Sequence, residues 1–427
     1  MTHTALRATE PETSETATAC ARPGAAISRS APPVPDRILL ASLSGQLGGM
    51  ELRLTDEARF LAARGAHCLV GPSPFPGRDN WLDPWLAETR GCERFEFDPP
   101  RFFEHWSWRR LNFARARWHW IRRLRRARID LAHIFYAWTF EGGSRLWLCA
   151  AAGIPCVLSI HNSFPTATLT PWHHRLTRQG FRAVRGLYGV TQSALDHFLT
   201  TYGEFIPRDA VIRVVPNFVD VDRFQPSPER RETLRTELDI PADAFVIGSV
   251  GRLDTQKEPL QVLDVFDRLW QSGLRGYLLF CGQGPLDQAA RSAADHYPWR
   301  DRVRFLGFRR DTEAVFAALD VHLLLSRQEG FGIATAEAMA CGVPVVATEV
   351  PGTRDVLHGT DAGLLLDYGD TVGAAERIAA LWRNQDLRQR LSAAGPRAAA
   401  TRYSKAVWEA ALAEFYGQVG ERRGVSR

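Results

Sequence analysis

The sequence has no Cys-x-x-Cys pair, and its seven cysteines are scattered at 20, 68, 92, 149, 156, 281 and 341. An odd, dispersed set argues against a disulfide framework or a zinc site, and it fits a reducing cytoplasm. Each thiol is expected as a small buried hydrophobe. No apolar run approaches the ~20 residues that a membrane-spanning helix needs. Residues 1–35 lack a basic start and an apolar core, so no secretory leader is expected there. They are rich in Ala, Thr, Ser, Pro and Glu and read as a disordered tail. No Asp-x-Asp metal motif follows a predicted strand, so no metal site is expected. No short-period repeat runs through the chain.

The 427 residues are 45% hydrophobic and 24% charged, the balance of a soluble globular protein, and the length predicts two or three domains. The net charge of +5 is modest but unevenly placed. Residues 101–128 hold ten arginines, two histidines and one acid, Glu104. Trp106, Phe113, Trp120 and Leu124 fall on one helical stripe there, interrupted by Arg117. Two readings stand level: a helix packed on a sheet, or a helix docked on an anionic membrane surface. Nucleic acid is not expected as a partner, because no reading motif accompanies the charge.

After the tail, Arg37-Ile-Leu-Leu-Ala-Ser-Leu reads as a buried strand. A Gly-rich turn, a helix from about Met50 to Arg64 and the strand His67-Cys-Leu-Val-Gly follow, which is a βαβ unit. The alternation continues through Leu131-Ala-His-Ile-Phe, Pro155-Cys-Val-Leu-Ser-Ile, Gly186-Leu-Tyr-Gly-Val-Thr and Val211-Ile-Arg-Val-Val. A second series starts at Phe245-Val-Ile-Gly-Ser-Val-Gly and runs to Val343-Pro-Val-Val-Ala-Thr. The α/β chain therefore divides into a first Rossmann-like domain over 36–225, a polar linker over 226–243 and a second over 244–402. Residues 403–427 are expected as a C-terminal helix. Ligands of such folds sit beyond the carboxyl ends of the strands.

There the sequence is most informative. Ser326-Arg-Gln-Glu-Gly-Phe-Gly-Ile-Ala-Thr-Ala-Glu follows an apolar strand and opens a helix. Glu329 occupies the turn. Gly330 and Gly332 allow close backbone approach, and the amides of Gly332, Ile333 and Ala334 form an anion site. Glu337 lies eight residues on, ~12 Å further if both were helical. Carboxylates suit sugar and ribose hydroxyls, and the helix terminus between them suits a diphosphate. Arg252 and Lys257 follow another strand, and two cations there would stabilise charge on a leaving diphosphate. Each residue also has a plain structural explanation: a solvated turn acid, a surface ion pair, a tight glycine turn or a core histidine.

The spacing of Glu329 and Glu337, with Gly-Phe-Gly inside and Ala-Met-Ala-Cys-Gly-Val-Pro-Val-Val-Ala after, resembles the donor-site signature of the family-4 retaining glycosyltransferases of GT-B fold. The likeness extends over most of residues 36–418. It implies two Rossmann-like domains facing each other across a cleft, with the C-terminal helix packed back on the first. It also implies that Glu329 contacts the transferred sugar, Glu337 the ribose, and Arg252 and Lys257 the diphosphate. Gly48-Gly49 resembles the family's Gly-Gly loop, and Ser159-Ile-His161 its strand-end histidine beside the anomeric centre. Cys281-Gly-Gln-Gly and Phe305-Leu-Gly-Phe-Arg resemble segments beside the nucleotide. Phe218 stands where the family has Gly, Phe135 where it often has a second His, and Pro351-Gly-Thr-Arg-Asp355 where it has Gly-Gly-x-x-Glu.

The resemblance implies a metal-independent hexosyltransferase that uses a nucleotide-sugar as substrate and needs no cofactor. Its acceptor would be a glycan or a lipid-linked sugar, and its place the cytoplasm or the inner membrane face. A GT-B sugar-nucleotide epimerase and a non-catalytic membrane-surface protein on the same fold are the alternatives. A phosphorylase would need a pyridoxal-phosphate lysine motif, which is not found.

Overall fold

The computed structural model describes residues 35–424 except 43–48, 74–80, 101–108, 137–141 and 163–166. Most of the expected tail, including Cys20, and the turn holding Gly45 and Gly48 lie outside the described residues. So do Trp106 and the Phe113 side chain.

Two parallel sheets organise the chain. The first has the order β3-β2-β1-β4-β5-β6-β7. Its strands are β1 (Arg37–Ser42), β2 (His67–Pro72), β3 (Cys92–Arg94), β4 (Leu131–Tyr136), β5 (Cys156–Ile160), β6 (Val184–Gly189) and β7 (Val211–Val214). Between them run α1 (Gly49–Ala62), α2 (Leu82–Glu88), α3 (Arg109–Arg126), α4 (Gly143–Ala152), α5 (Pro171–Phe181) and α6 (Gln192–Tyr202). After β7 comes α7 (Pro228–Glu237). The second sheet, β10-β9-β8-β11-β12-β13, contains β8 (Val246–Val250), β9 (Tyr277–Cys281), β10 (Val303–Phe305), β11 (Val321–Leu324), β12 (Val345–Thr348) and β13 (Gly363–Leu366). Its helices are α8 (Pro259–Gln271), α9 (Asp287–Ala294), α10 (Thr312–Ala318), α11 (Ile333–Ala340), α12 (Pro351–Leu357), α13 (Thr371–Arg383) and α14 (Gln385–Tyr403). The helix α15 (Lys405–Gly424) ends the chain.

Strand alternation sends side chains into a layer on each face of a sheet. Leu39 and Ala41 of β1 meet a core with Ile121 and Leu124 of α3 and residues of α4, α5 and α6. Ile38 and Leu40 meet α1, α2 and the C-terminal helix, through Trp408, Leu412, Phe415, Tyr416 and Val419. The second sheet is covered by α7, α10, α11 and α12 on one face and by α8, α9 and α13 on the other. The chain thus leaves the first sheet, builds the second, and returns a helix to the first. The two crossings run side by side: Val219 forms a parallel bridge with Ser404, and its N–H donates to the Tyr403 carbonyl at 2.7 Å.

Residues 228–237 differ from the polar connection expected of them, because they form α7. Ser227 caps this helix by accepting from the Arg230 N–H, and Pro228 fits its first turn. Leu234 and Arg235 are buried. Arg235 donates to the carbonyls of Ala318, Ala242 and Ala244 and to the Asp320 carboxylate, tying α7 to the second domain. Within the basic segment, Arg109–Arg126 form α3. Its Leu124 is buried and its Trp120 packs on the first core, while Trp118, Arg117, Arg122, Arg125 and Arg126 are exposed.

Candidate functional site

The cleft is built where strand ends of the two sheets meet. Gly330 shows how close they come. A Cβ there would lie 2.0 Å from the His161 carbonyl oxygen, so only glycine fits. The Thr191 hydroxyl, at the start of α6, donates to the Gly330 carbonyl at 2.9 Å. Gln328 and Asn162 are joined side chain to side chain at 3.3 Å. His161 at the end of β5 and Glu329 beyond β11 therefore belong to one site.

Glu329 is only 6% exposed, and its carboxylate accepts from the Lys257 ammonium. Lys257 sits in the turn after β8. Its main-chain N–H and that of Gln256 both donate to Asp254 Oδ1, which shapes this turn. Arg252 lies in the same turn but holds Asp254 Oδ2 at 2.7 Å, with its guanidinium half exposed. The structure thus joins Lys257 to Glu329 and leaves Arg252 at the rim. Gly282 packs against the same turn: a Cβ there would lie 1.9 Å from the Gly251 carbonyl oxygen.

Gly332 caps α11 with φ of +79°, a left-handed conformation that suits glycine. The first turn of α11 faces the first turn of α1. A Cβ on Gly49 would meet the Ile333 side chain at 3.2 Å. Two helix N-termini from different domains therefore converge, and each concentrates N–H groups and positive potential. Glu337 lies one turn further along α11. Burial pushes its carboxyl up to about 7, against the opposing pull of Arg53 and Arg223. Arg53 comes from α1 of the other domain, is buried, and lies 3.9 Å over the Phe218 ring. That stacking occupies the place where the family has a glycine.

His161 is sandwiched into the first domain by aromatic stacking. Phe135 stacks on it at 5.3 Å, and His133 stacks on the far face of Phe135 at 4.2 Å. Its Nε2 lies 2.9 Å from the Ser159 hydroxyl. Burial, with the charges of His133 and Arg53, pulls the imidazole down to about 3, so it is neutral at physiological pH.

Sequence reasoning missed Arg53, which only the fold brings to Glu337. It also missed the work of Asp355. That side chain accepts from the Ser193 N–H at 2.8 Å and the Ser193 hydroxyl at 2.9 Å, capping α6 of the first domain from α12 of the second. The acid at the end of Pro351-Gly-Thr-Arg-Asp355 was the available signal. Gly352 of that segment is also required, because its Cβ would lie 2.5 Å from the Glu329 carbonyl oxygen.

Residues 230–398 match the Glycosyl transferases group 1 family and residues 47–223 match Glycosyltransferase Family 4. The 2-deoxystreptamine N-acetyl-D-glucosaminyltransferase of Streptomyces fradiae is 30% identical over 88% of this chain and 93% of its own. The lipopolysaccharide core biosynthesis glycosyltransferase LpsD of Rhizobium meliloti is 33% identical over 49% of this chain, and the match spans 59% of that protein. The Anabaena protein HepE, solved in complex with UDP, superposes with a TM-score of 0.70 at 22% identity, over 88% of this chain and 98% of its own. With its two facing Rossmann-like domains, the chain belongs to the group 1, family-4 glycosyltransferases of GT-B fold.

Proposed function

We propose that the protein moves a hexose-type sugar from a nucleotide-sugar donor to a glycan or lipid-linked acceptor, with retention of anomeric configuration and without a metal. The observation that carries the reading is the Lys257–Glu329 couple held against the His161 backbone across the Gly330 contact. The converging starts of α1 and α11, at Gly49, Gly332 and Ile333, offer N–H groups to the diphosphate. Lys257 and Arg252 add cationic charge where the leaving group develops its own. Glu329 and His161 accept from sugar hydroxyls and hold the anomeric carbon for attack on the face the nucleotide leaves. Glu337 holds the ribose. Reading Lys257 and Glu329 as donor ligands means that the donor must compete with their mutual ion pair.

A thermal-shift panel of UDP-, GDP- and ADP-sugars tests the site. A ligand at a hundredfold its dissociation constant adds about 2.7 kcal/mol of stability. One nucleotide class is expected to stabilise selectively, HepE making UDP the first to try. Transfer from that donor is then followed by NMR of the anomeric proton with EDTA present. An inverted product, or a requirement for metal, overturns the mechanism proposed. An altered sugar formed without acceptor would identify an epimerase.

A second proposal concerns place. The exposed Trp118, with Arg122 and Arg126 on the same outer side of α3, favours peripheral binding to the anionic inner face of a membrane. Sedimentation with anionic vesicles at low salt should carry the protein down, and neutral vesicles should leave it in solution. Equal behaviour with both vesicles removes this reading.

A further inference from the structure

A cavity of about 660 Å³ opens where the chain crosses between the two domains. Its walls come from both. The first domain supplies Val190, just after β6, and Val214, at the end of β7 on the outgoing crossing. The second supplies Phe331, residues 354–356 and 358 around α12, and Arg402 and Tyr403 on the returning crossing. The volume suits a small organic ligand. His161, Arg252, Lys257, Glu329 and Glu337 do not line this cavity, so it is not the donor site.

The walls divide by chemistry. Val190, Phe331 and Tyr403 are buried, and the Phe331 ring meets the Tyr403 ring edge to face at 5.3 Å. Val214 adds apolar surface that is exposed to solvent. Against this apolar part stand Arg354, His358 and Arg402, with Asp355 as the one acid lining the cavity among the described residues. Asp355 does not neutralise them, because both of its carboxylate oxygens accept from Ser193. The two guanidiniums bond to neutral oxygens instead. Arg354 Nη2 lies 3.4 Å from the Ser193 hydroxyl, and Arg402 Nη1 donates to the His358 carbonyl at 2.7 Å. Neither guanidinium forms an ion pair among the described residues. Arginine forks match phosphate oxygens in geometry, and a phosphate monoester carries a charge of about −2, enough to answer two of them. We propose that this cavity is a second binding site, which takes an organic phosphate: Arg354 and Arg402 hold the phosphate, and an apolar or aromatic body lies on Val190, Phe331 and Tyr403.

Isothermal titration calorimetry of the full chain with phenyl phosphate tests the site without any sugar donor. Phenol lacks the anion and inorganic phosphate lacks the body, so each is expected to bind at least about tenfold more weakly, the order of one charge-assisted hydrogen bond. Arg354→Ala and Arg402→Ala are each expected to weaken phenyl phosphate by about tenfold or more on the same ground. Arg402→Gln, which can still donate to the His358 carbonyl, replaces Arg402→Ala if that variant does not fold. The donor site also attracts phosphate, and Lys257→Ala separates the two: phenyl phosphate should bind this variant as it binds the wild type. Loss of binding in Lys257→Ala with retention in the arginine variants would place the ligand in the donor cleft and overturn the proposal. Equal affinity in the wild type and the folded arginine variants overturns it as well, as does no binding to the wild type at millimolar phenyl phosphate.

Discussion

Lys257 and Lys405 are the only lysines in a chain with 53 cationic side chains. Arginine holds its charge in a wide planar fork, whereas lysine carries a compact ammonium. At 257 that ammonium fits into a turn and neutralises the buried Glu329. Lys257→Ala removes the cation and leaves a carboxylate without its partner. The expected result is a loss of about 1–3 kcal/mol in denaturant unfolding and a fall in transfer of about a hundredfold or more. Wild-type turnover in the folded variant would remove Lys257 from the mechanism. Glu337 gives a pH signature. Its carboxyl is raised from 4.5 to about 7 in the fold, so between those values the native state binds a proton that the unfolded chain has released. Stability from this group is therefore complete at acid pH and is lost as pH rises toward 7. Melting temperatures of wild type and Glu337→Gln should diverge across that window and run parallel above it. Parallel curves throughout would show that Glu337 does not titrate there.

At the scale of elements, what was legible depended on which force forms the element. The central strands β1, β4, β5, β8 and β11 are buried on both faces and read as mostly apolar runs with an occasional polar residue. Edge strand β3 is Cys-Glu-Arg and pairs with β2 through its backbone, so its side chains carried no such signal. The helix α7 was hidden by its polar composition, although its serine cap and first-turn proline stand in the sequence. Turn residues such as Glu329, Gly330 and Gly332 were legible because their types are unusual after a strand. The buried bond between Glu57 and Tyr188 was not, because the two are 131 residues apart and meet only through the sheet. Asp355 is a case between these. Its role is to close the N-terminus of α6, whose first N–H groups lack helical partners. Asp355→Ala should cost about 1–2 kcal/mol, as cap removal does. Asp355→Asn should recover part of that loss, since its amide oxygen still accepts. Equal unfolding of all three proteins would show that the cross-domain cap contributes nothing.

For the whole molecule, the return of α15 decides how the two halves behave. Trp408 packs on Phe60 at 5.7 Å and on Phe218 at 4.9 Å, and Phe415 packs on Tyr188 at 5.2 Å. Gly186 of β6 admits this helix closely, since a Cβ there would lie 2.9 Å from Val419. The helix completes, with α1 and α2, the cover of one face of the first sheet, so the first domain has no complete core without it. The Val219–Ser404 bridge joins the outgoing and returning strands of backbone. Removing residues 404–427 should therefore damage the first domain rather than loosen the second. The truncated protein is expected to expose apolar sheet surface, aggregate in size-exclusion chromatography and lose nucleotide-sugar transfer. A soluble, monomeric truncation with the wild-type melting temperature would mean that the first domain folds without α15, and that the helix acts only as a tether between the halves.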